Sequence, residues 1–118
     1  MRTLTDHQVN PANDKLIVQA IDEPGSGGAH LKYIISGHPT GPTLIEFQNG
    51  PINEIGVNGL THEALLAILI DRLQGFQSGP YASDDNQVAL LSLRQAQNAL
   101  QRRTRERMAR GVEGTHTP

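Results

Sequence analysis

The chain contains no cysteine in its 118 residues. That excludes a disulfide framework and any thiolate metal site. Aromatic residues are scarce too, 3% of the total: Tyr33, Phe47, Phe76 and Tyr81. A domain of this length hides about two-thirds of its unfolded surface. So few large side chains make a thin core, which favours an oligomer that completes its core between chains. Long apolar runs are missing. The longest, Ala64 to Ile70, falls far short of the roughly 18 residues of a membrane span and has helical spacing. The start, Met1 to Asn13, is polar and has no apolar signal segment, so the expected compartment is a reducing cytoplasm.

An overall basic surface is also lacking, since the formal net charge is −2. The charge is uneven, however. Arg102, Arg103, Arg105, Arg107 and Arg110 fall together with Glu106 as their only acid, and the rest of the chain is acidic. Long nucleic acid wants a basic body, which this chain does not offer. A local basic tip suits a small anion, or else a solvated helix end whose arginines oppose the negative pole of the dipole.

The pattern along the chain is α+β: an N-terminal antiparallel β-meander, then a C-terminal antiparallel helical hairpin with a long second helix. One domain, 1–118, is expected, with the meander over 14–58, the hairpin over 61–111 and a tail at 112–118. Lys15 to Asp22, His30 to Ser36 and Thr43 to Gln48 read as strands. Leu31, Tyr33 and Ile35 share one face of the second, and Ile45 and Phe47 one face of the third. Asn49-Gly50-Pro51 makes a tight turn into a short last segment, Ile52 to Val57, also placed in the meander. Loops this short exclude parallel crossovers. Asn58-Gly59 closes the sheet.

Thr61 then caps a helix running to about Gln77, stopped by Ser78-Gly79-Pro80. Ser83 caps the next, with Asp84 and Asp85 in its first turn and Gly111 just past its end, so it spans Asp84 to Arg110. Written as heptads, one seam position of this second helix holds Asn86, Leu93, Leu100 and Arg107. The other holds Ala89, Ala96, Arg103 and Arg110. The stripe is apolar in its middle and arginine at its end. Arginines that continue a packing stripe need an anionic partner or an escape to water. At about 1.5 Å per residue the helices measure roughly 24 and 40 Å, so the Arg103–Arg107 stretch should overhang the shorter one and reach another protomer or a ligand. Four positions apart, those two side chains can clamp a phosphate with bidentate forks.

Other chemistries fit less well. Gly25-Ser26-Gly27-Gly28 resembles a phosphate loop but leads into a strand rather than a helix. His7, His30, His38, His62 and His116 show no metal spacing, so no metal and no cofactor is expected. His38-Pro39-Thr40 has the form of half of a two-histidine phosphoesterase site, but His116-Thr117-Pro118 does not complete it. No glycine-flanked serine elbow occurs, and the only paired carboxylates are the capping Asp84 and Asp85. The chain is not expected to be an enzyme.

Three stretches carry a family resemblance: FQNGPINEIGVNG from Phe47 to Gly59, DRLQGFQSGPY from Asp71 to Tyr81, and RTRERMARGVEGTH from Arg103 to His116. Over roughly residues 14 to 116 the chain resembles the phage anti-defence sponges that counter the bacterial Thoeris and CBASS systems and share a helical-hairpin domain. The resemblance implies a homodimer or hexamer in the host bacterial cytoplasm. It would sequester cyclic ADP-ribose isomers, and in some members cyclic oligonucleotides such as cyclic trinucleotides, without cleaving them. From the short apolar runs and the acidic body, no membrane and no long nucleic acid is expected as a partner. The resemblance further implies that Phe76 packs on a base or ribose, that Asn86 hydrogen-bonds the ligand, and that Arg103 and Arg107 hold its phosphates. A strand-region arginine expected from the family has no counterpart between Gly37 and Gly59, so Gln48 and Asn49 stand in for it. Taken as residues alone, Phe76 also fits a core position, Asn86 a helix start and Asn49 a turn. A cyclic-nucleotide phosphoesterase, or a nucleic-acid-binding or structural phage protein, are the other classes open at this point.

Overall fold

The computed structural model describes residues 1–12 and 14–118; Asn13, the end of the polar start, lies outside the described residues. Four strands come first, β1 (Arg2–Leu4), β2 (Ile17–Ala20), β3 (Lys32–Ser36) and β4 (Thr43–Glu46). Three helices follow, α1 (Ile52–Ile55), α2 (His62–Gln77) and α3 (Asp84–Ala109). The expected α+β order is what the chain adopts. It divides into two units, one of Met1–Asn49 with Val57–Leu60, the other of Gly50–Gly56 with Thr61–Pro118.

In the first unit the strands form an antiparallel meander in the order β1-β2-β3-β4. Alternation decides which side is covered. Val18 and Ala20 stand opposite Ile35 and Tyr33, and Tyr33 stands opposite Ile45, so these side chains share one face. Ala20 on that face is fully buried. Tyr33 meets Phe47 edge-on with centroids 5.8 Å apart. Ile17 and Leu44, of the opposite phase, are exposed.

The β2–β3 connection is tied by Asp22. Its carboxylate accepts from the backbone N–H of Leu31 (3.0 Å) and Lys32 (3.3 Å). His30 Nδ1 lies 2.7 Å from the Asp22 carbonyl and 3.3 Å from its carboxylate. Both are acceptors, so Nδ1 carries the proton. Desolvation pushes the Asp22 carboxyl up, but the bonds from Leu31, Lys32 and His30 outweigh it and hold it below its ordinary value. At the next loop Gly37 has φ +95°, and a Cβ there would collide with the Lys15 carbonyl. Only glycine fits that turn.

Two expectations are corrected here. The polar start holds a strand: β1 adds to the edge of the sheet, with Arg2 opposite Ala20 and Leu4 opposite Val18. Three residues are too few for alternation to announce a strand. The segment Ile52 to Val57 is not a strand but contains α1. Pro51 presets the backbone there, and Ile55 N–H and Gly56 N–H close helical bonds on the carbonyls of Pro51 (3.0 Å) and Ile52 (2.8 Å). Leu60 N–H then donates to Glu46 O (2.8 Å), and Gln48 N–H to Leu60 O (2.9 Å), which closes the sheet at Asn58-Gly59 as expected.

In the second unit both helices begin at the expected caps. The Thr61 hydroxyl accepts from Ala64 N–H (3.2 Å) and the Ser83 hydroxyl from Asn86 N–H (3.1 Å). Gln77 latches the turn, donating to Ser83 O (3.0 Å) and to Gln87 Oε1 (3.1 Å) while accepting from Ser83 N–H (3.0 Å). Gln97 Nε2 donates to Glu63 O (3.0 Å) and so fixes the register of α2 on α3. The first turn of α2 thus lies beside the middle of α3, and the last three turns of α3 overhang it, as the helix lengths implied. α3 ends in a complete Schellman motif. Gly111 has φ +71°, its N–H donates to Met108 O (3.0 Å), and Val112 N–H donates to Arg107 O (3.0 Å).

The covered stripe of α3 differs from the heptad reading. Asn86, Leu90, Leu93, Gln97, Leu100, Gln101, Thr104 and Arg107 are the buried or half-buried positions. One expected seam, Asn86-Leu93-Leu100-Arg107, is therefore present. The other is not: Ala89, Ala96, Arg103 and Arg110 are exposed, and Leu90, Gln97 and Thr104 take their place. With about 3.6 residues per turn, a 4-then-3 spacing covers a face as well as 3-then-4, and only packing chooses between them. Leu90 alone among the apolar side chains of this unit is fully covered, at 6% exposure, while Ile68, Leu69, Val88 and Leu91 are open to solvent.

Candidate functional site

The residues expected to hold a ligand fall into three groups. Phe76 and Asn86 come together at the hairpin turn. Phe76 sits in the last turn of α2 and meets Tyr81 edge-on at 6.3 Å. Asn86 Nδ2 donates to the Tyr81 carbonyl at 3.3 Å. The guanidinium carbon of Arg72, one helical turn before Phe76, lies 5.4 Å from the centre of the Phe76 ring. The motif from Asp71 to Tyr81 thus places a cation and two aromatic rings in succession, and the Asn86 carboxamide is tied to the backbone of Tyr81. Arg72 and Tyr81 were not singled out in the sequence. The signal available was the i, i+4 spacing of Arg72 and Phe76.

Arg103 and Arg107 lie at the other end of α3, on the overhang. The structure separates their roles. Arg103 is exposed, whereas Arg107 is only 7% exposed. Arg107 Nε donates to Glu113 Oε2 (3.0 Å), Nη1 to Thr117 O (2.8 Å), and Nη2 to Val112 O (3.0 Å) and Thr115 O (3.2 Å). A guanidinium has five N–H donors, so one remains. The stripe position of Arg107 called for an anionic partner, expected from another protomer or a ligand; the chain's own tail, 112–117, wraps back over it and supplies one in Glu113. Arg110 is engaged as well, in an ion pair with Glu106 one turn away.

The tail is held from a second side. Asn53 N–H donates to Gly114 O (3.1 Å) and Asn53 Nδ2 to Glu113 O (3.0 Å), while His116 Nδ1 lies 2.8 Å from Glu54 Oε2. Two of the three stretches that carry the family resemblance, the one around α1 and the one after Arg103, therefore meet through the tail. Substituting Gly114 would press a Cβ against the Asn53 carboxamide.

Gln48 and Asn49 belong to the sheet unit and are built into its closing turn. Gln48 Oε1 accepts from Asn58 N–H (2.9 Å). Asn49 N–H donates to Asn58 Oδ1 (2.8 Å), and Asn49 O accepts from Asn58 Nδ2 (2.8 Å). Asn58 is the hub of this turn, and the Asn49 carboxamide is on the surface.

The histidine weighed as half of a phosphoesterase pair is tied within its own loop. His38 Nδ1 lies 2.9 Å from Thr40 Oγ1, and His38 Nε2 lies 3.1 Å from Thr43 Oγ1. Both ring nitrogens are thus engaged by neighbouring hydroxyls. Among the described residues no helix is long and apolar enough to cross a membrane.

Residues 42–105 match the family model described as Acb2/Tad1, hairpin domain. That span takes in Gln48, Asn49, Phe76, Asn86 and Arg103 and stops short of Arg107. The chain is also 40% identical over 108 residues to Thoeris anti-defense 1 of Bacillus phage SBSphiJ7, covering 92% of this chain and 75% of the relative. The match to more than half of the chain, together with a relative similar along 92% of this chain, places this protein in the Acb2/Tad1 hairpin-domain family, as a phage anti-defence protein of the anti-Thoeris type.

Proposed function

We propose that the protein binds cyclic ADP-ribose isomers, the signals of Thoeris, and sequesters them intact in the cytoplasm of the host. The observation that carries this reading is the hairpin turn, where Phe76, Tyr81, Arg72 and Asn86 meet within the stretch that matches the family. Ring faces take a base or ribose, a carboxamide supplies both a donor and an acceptor, and guanidinium groups take phosphate. Arg103 and Arg107 hold the phosphates in this reading. Arg103 uses its whole exposed fork, and Arg107 its remaining N–H or the ones it releases from the tail. Gln48 and Asn49 are also proposed as ligand-binding residues.

The distances within one chain give this reading a definite form. Asn86 and Arg103 are 17 positions apart on α3, about 26 Å at 1.5 Å per residue. A compact cyclic nucleotide cannot bridge that gap, so the pocket is built from the turn of one protomer and the arginine end of another. The exposed Ile68, Leu69, Val88 and Leu91 support such an assembly, because a second chain would cover apolar surface that this chain leaves open. In this reading the protein acts stoichiometrically rather than as a phosphoesterase: His38 is tied within its own loop to Thr40 and Thr43, and the sequence holds no second His-Pro-Thr motif to pair with it.

Incubating the protein with cyclic ADP-ribose isomers and, separately, with CBASS-type cyclic trinucleotides, followed by heat denaturation and chromatography, tests this directly. Retention and intact release of an isomer support sequestration. Loss of ligand with time would mean cleavage, and no retention of any isomer would remove the reading. Light scattering should give a dimer or hexamer; a 12.8 kDa species would exclude a pocket shared between protomers.

A further inference from the structure

The chain has four aromatic side chains, and they form two pairs. The pair in the sheet, Tyr33 and Phe47, is half-buried and explained by packing. The pair at the hairpin turn is not: Tyr81 is 73% exposed and Phe76 is 37% exposed. A guanidinium stands over this second pair. Arg72 is drawn to the negative face of the Phe76 ring, and that attraction spends none of its N–H donors. Among the described residues Arg72 makes no hydrogen bond and no ion pair, although Asp71, Asp84 and Asp85 are carried on the same two helices. Arg107, in contrast, commits four donors to the tail.

We propose that Arg72 is a phosphate-binding residue of the hairpin-turn site, held in position by the Phe76 ring, with Tyr81 as the second aromatic surface against the base. The proposal rests on the nucleotide-binding reading above and names two further residues of that site. It follows from what each group has left to offer. The rings present apolar faces in water, which a base covers at a gain. The Asn86 carboxamide is anchored through Nδ2 to Tyr81 O, which leaves Oδ1 as an acceptor for a ribose hydroxyl or a base N–H. Arg72 alone at this end supplies an uncommitted fork matching phosphate oxygens. The phosphate lies on the α2 side of the turn, because Asp84 and Asp85 in the first turn of α3 repel an anion from that helix start. With Arg103 from a second protomer, Arg72 then flanks the phosphate on both sides, each chain giving one cation.

The experiment is calorimetric titration of the full chain with a cyclic ADP-ribose isomer, using wild type, Arg72→Ala, Arg72→Lys, Tyr81→Ala, Tyr81→Phe and the control Arg94→Ala. Light scattering and a thermal melt accompany each variant. Arg72→Ala is expected to weaken binding about ten- to a hundredfold and to flatten its salt dependence, with Arg72→Lys recovering part. Tyr81→Phe should bind like wild type, and Tyr81→Ala should bind several-fold more weakly. Arg94→Ala should stay within a few-fold. Arg72→Ala binding within twofold of wild type overturns the proposal while leaving the nucleotide reading intact. A changed mass in that variant overturns it too, and assigns Arg72 to a contact between copies. An equal loss in Arg94→Ala would show a diffuse field rather than a site. Wild-type protein that binds no isomer removes the nucleotide reading and this proposal with it.

Discussion

Replacing Arg107 with Ala should destabilise the fold far more than replacing any other arginine of the α3 end. The side chain is 9% exposed and bonds one carboxylate and three carbonyls. Hydrogen bonds to a charged group are worth about 1.5–3 kcal/mol each where the partners stay dry. They are not additive here, because the truncated tail can peel away and its acceptors rehydrate, and Glu113 is more than one-third exposed, which screens its pair. A loss of about 2–3 kcal/mol is therefore expected, a drop in melting midpoint on the order of 10 °C for a domain of this size. Arg107→Lys should recover little, since one ammonium cannot span four acceptors. Arg103→Ala, on the exposed side, should stay within about 0.5 kcal/mol. Circular dichroism melts at a fixed protein concentration make the comparison, because assembly couples to stability. Hydrogen exchange should show the amides of residues 112–117 losing protection in Arg107→Ala. Equal, small losses for the two variants would mean that the wrapped tail contributes nothing and that Arg107 is free for other uses.

The Asp22 carboxyl, held below its ordinary value of about 3.9, contributes stability that is fully present above that value and is lost as pH falls through the lowered one. From pH 5 to pH 3 the melting midpoint of wild type should therefore fall more steeply than that of Asp22→Asn; parallel curves would count against the lock. Gly37→Ala should cost more than about 1 kcal/mol, since it adds a Cβ at positive φ against the Lys15 carbonyl, and a denaturation midpoint equal to wild type would contradict this. Arg103→Ala should weaken binding of a cyclic ADP-ribose isomer about ten- to a hundredfold, about 1.5–3 kcal/mol. Arg102→Ala and Arg105→Ala should stay within a few-fold, and equal losses in all three would mean diffuse electrostatics.

The helical hairpin was legible because its punctuation is local. Thr61, Ser83 and Gly111 mark the helix ends by interactions with residues three or four positions away, and all three act as their sequence context indicated. The sheet was legible where alternation ran long enough, as in Leu31-Tyr33-Ile35. It failed at Arg2–Leu4, which gains its pairing from β2 across a long connection. It failed again at Ile52–Ile55, where Pro51 and two glycines decide a single turn of helix. The stripe on α3 shows a different limit. Periodicity gives the covered arc, but whether Leu90 or Ala89 flanks it depends on the partner helix, here fixed by the Gln97–Glu63 bond. Arg107 was recognised as a stripe residue needing an anionic partner. That the partner is Glu113, in the chain's own tail, depends on a loop turning back, which spacing does not encode.

That internal partner bears on how the proposed pocket works. If Arg107 is to meet a ligand phosphate, the phosphate and the Glu113 carboxylate must share one guanidinium with a single donor left over. Two anions against one cation repel, so either the phosphate is held mainly by Arg103 with Arg107 fixing the tail beneath it, or Glu113 yields. Glu113→Gln separates these. The amide oxygen keeps a hydrogen bond to Nε while the negative charge is removed. Direct competition predicts tighter ligand binding in Glu113→Gln at nearly unchanged stability, by several-fold. A supporting role for Arg107 predicts unchanged affinity in Glu113→Gln and a stability loss in Arg107→Ala that precedes any effect on the ligand. Weaker binding in Glu113→Gln would contradict both, and would make the carboxylate itself a ligand contact.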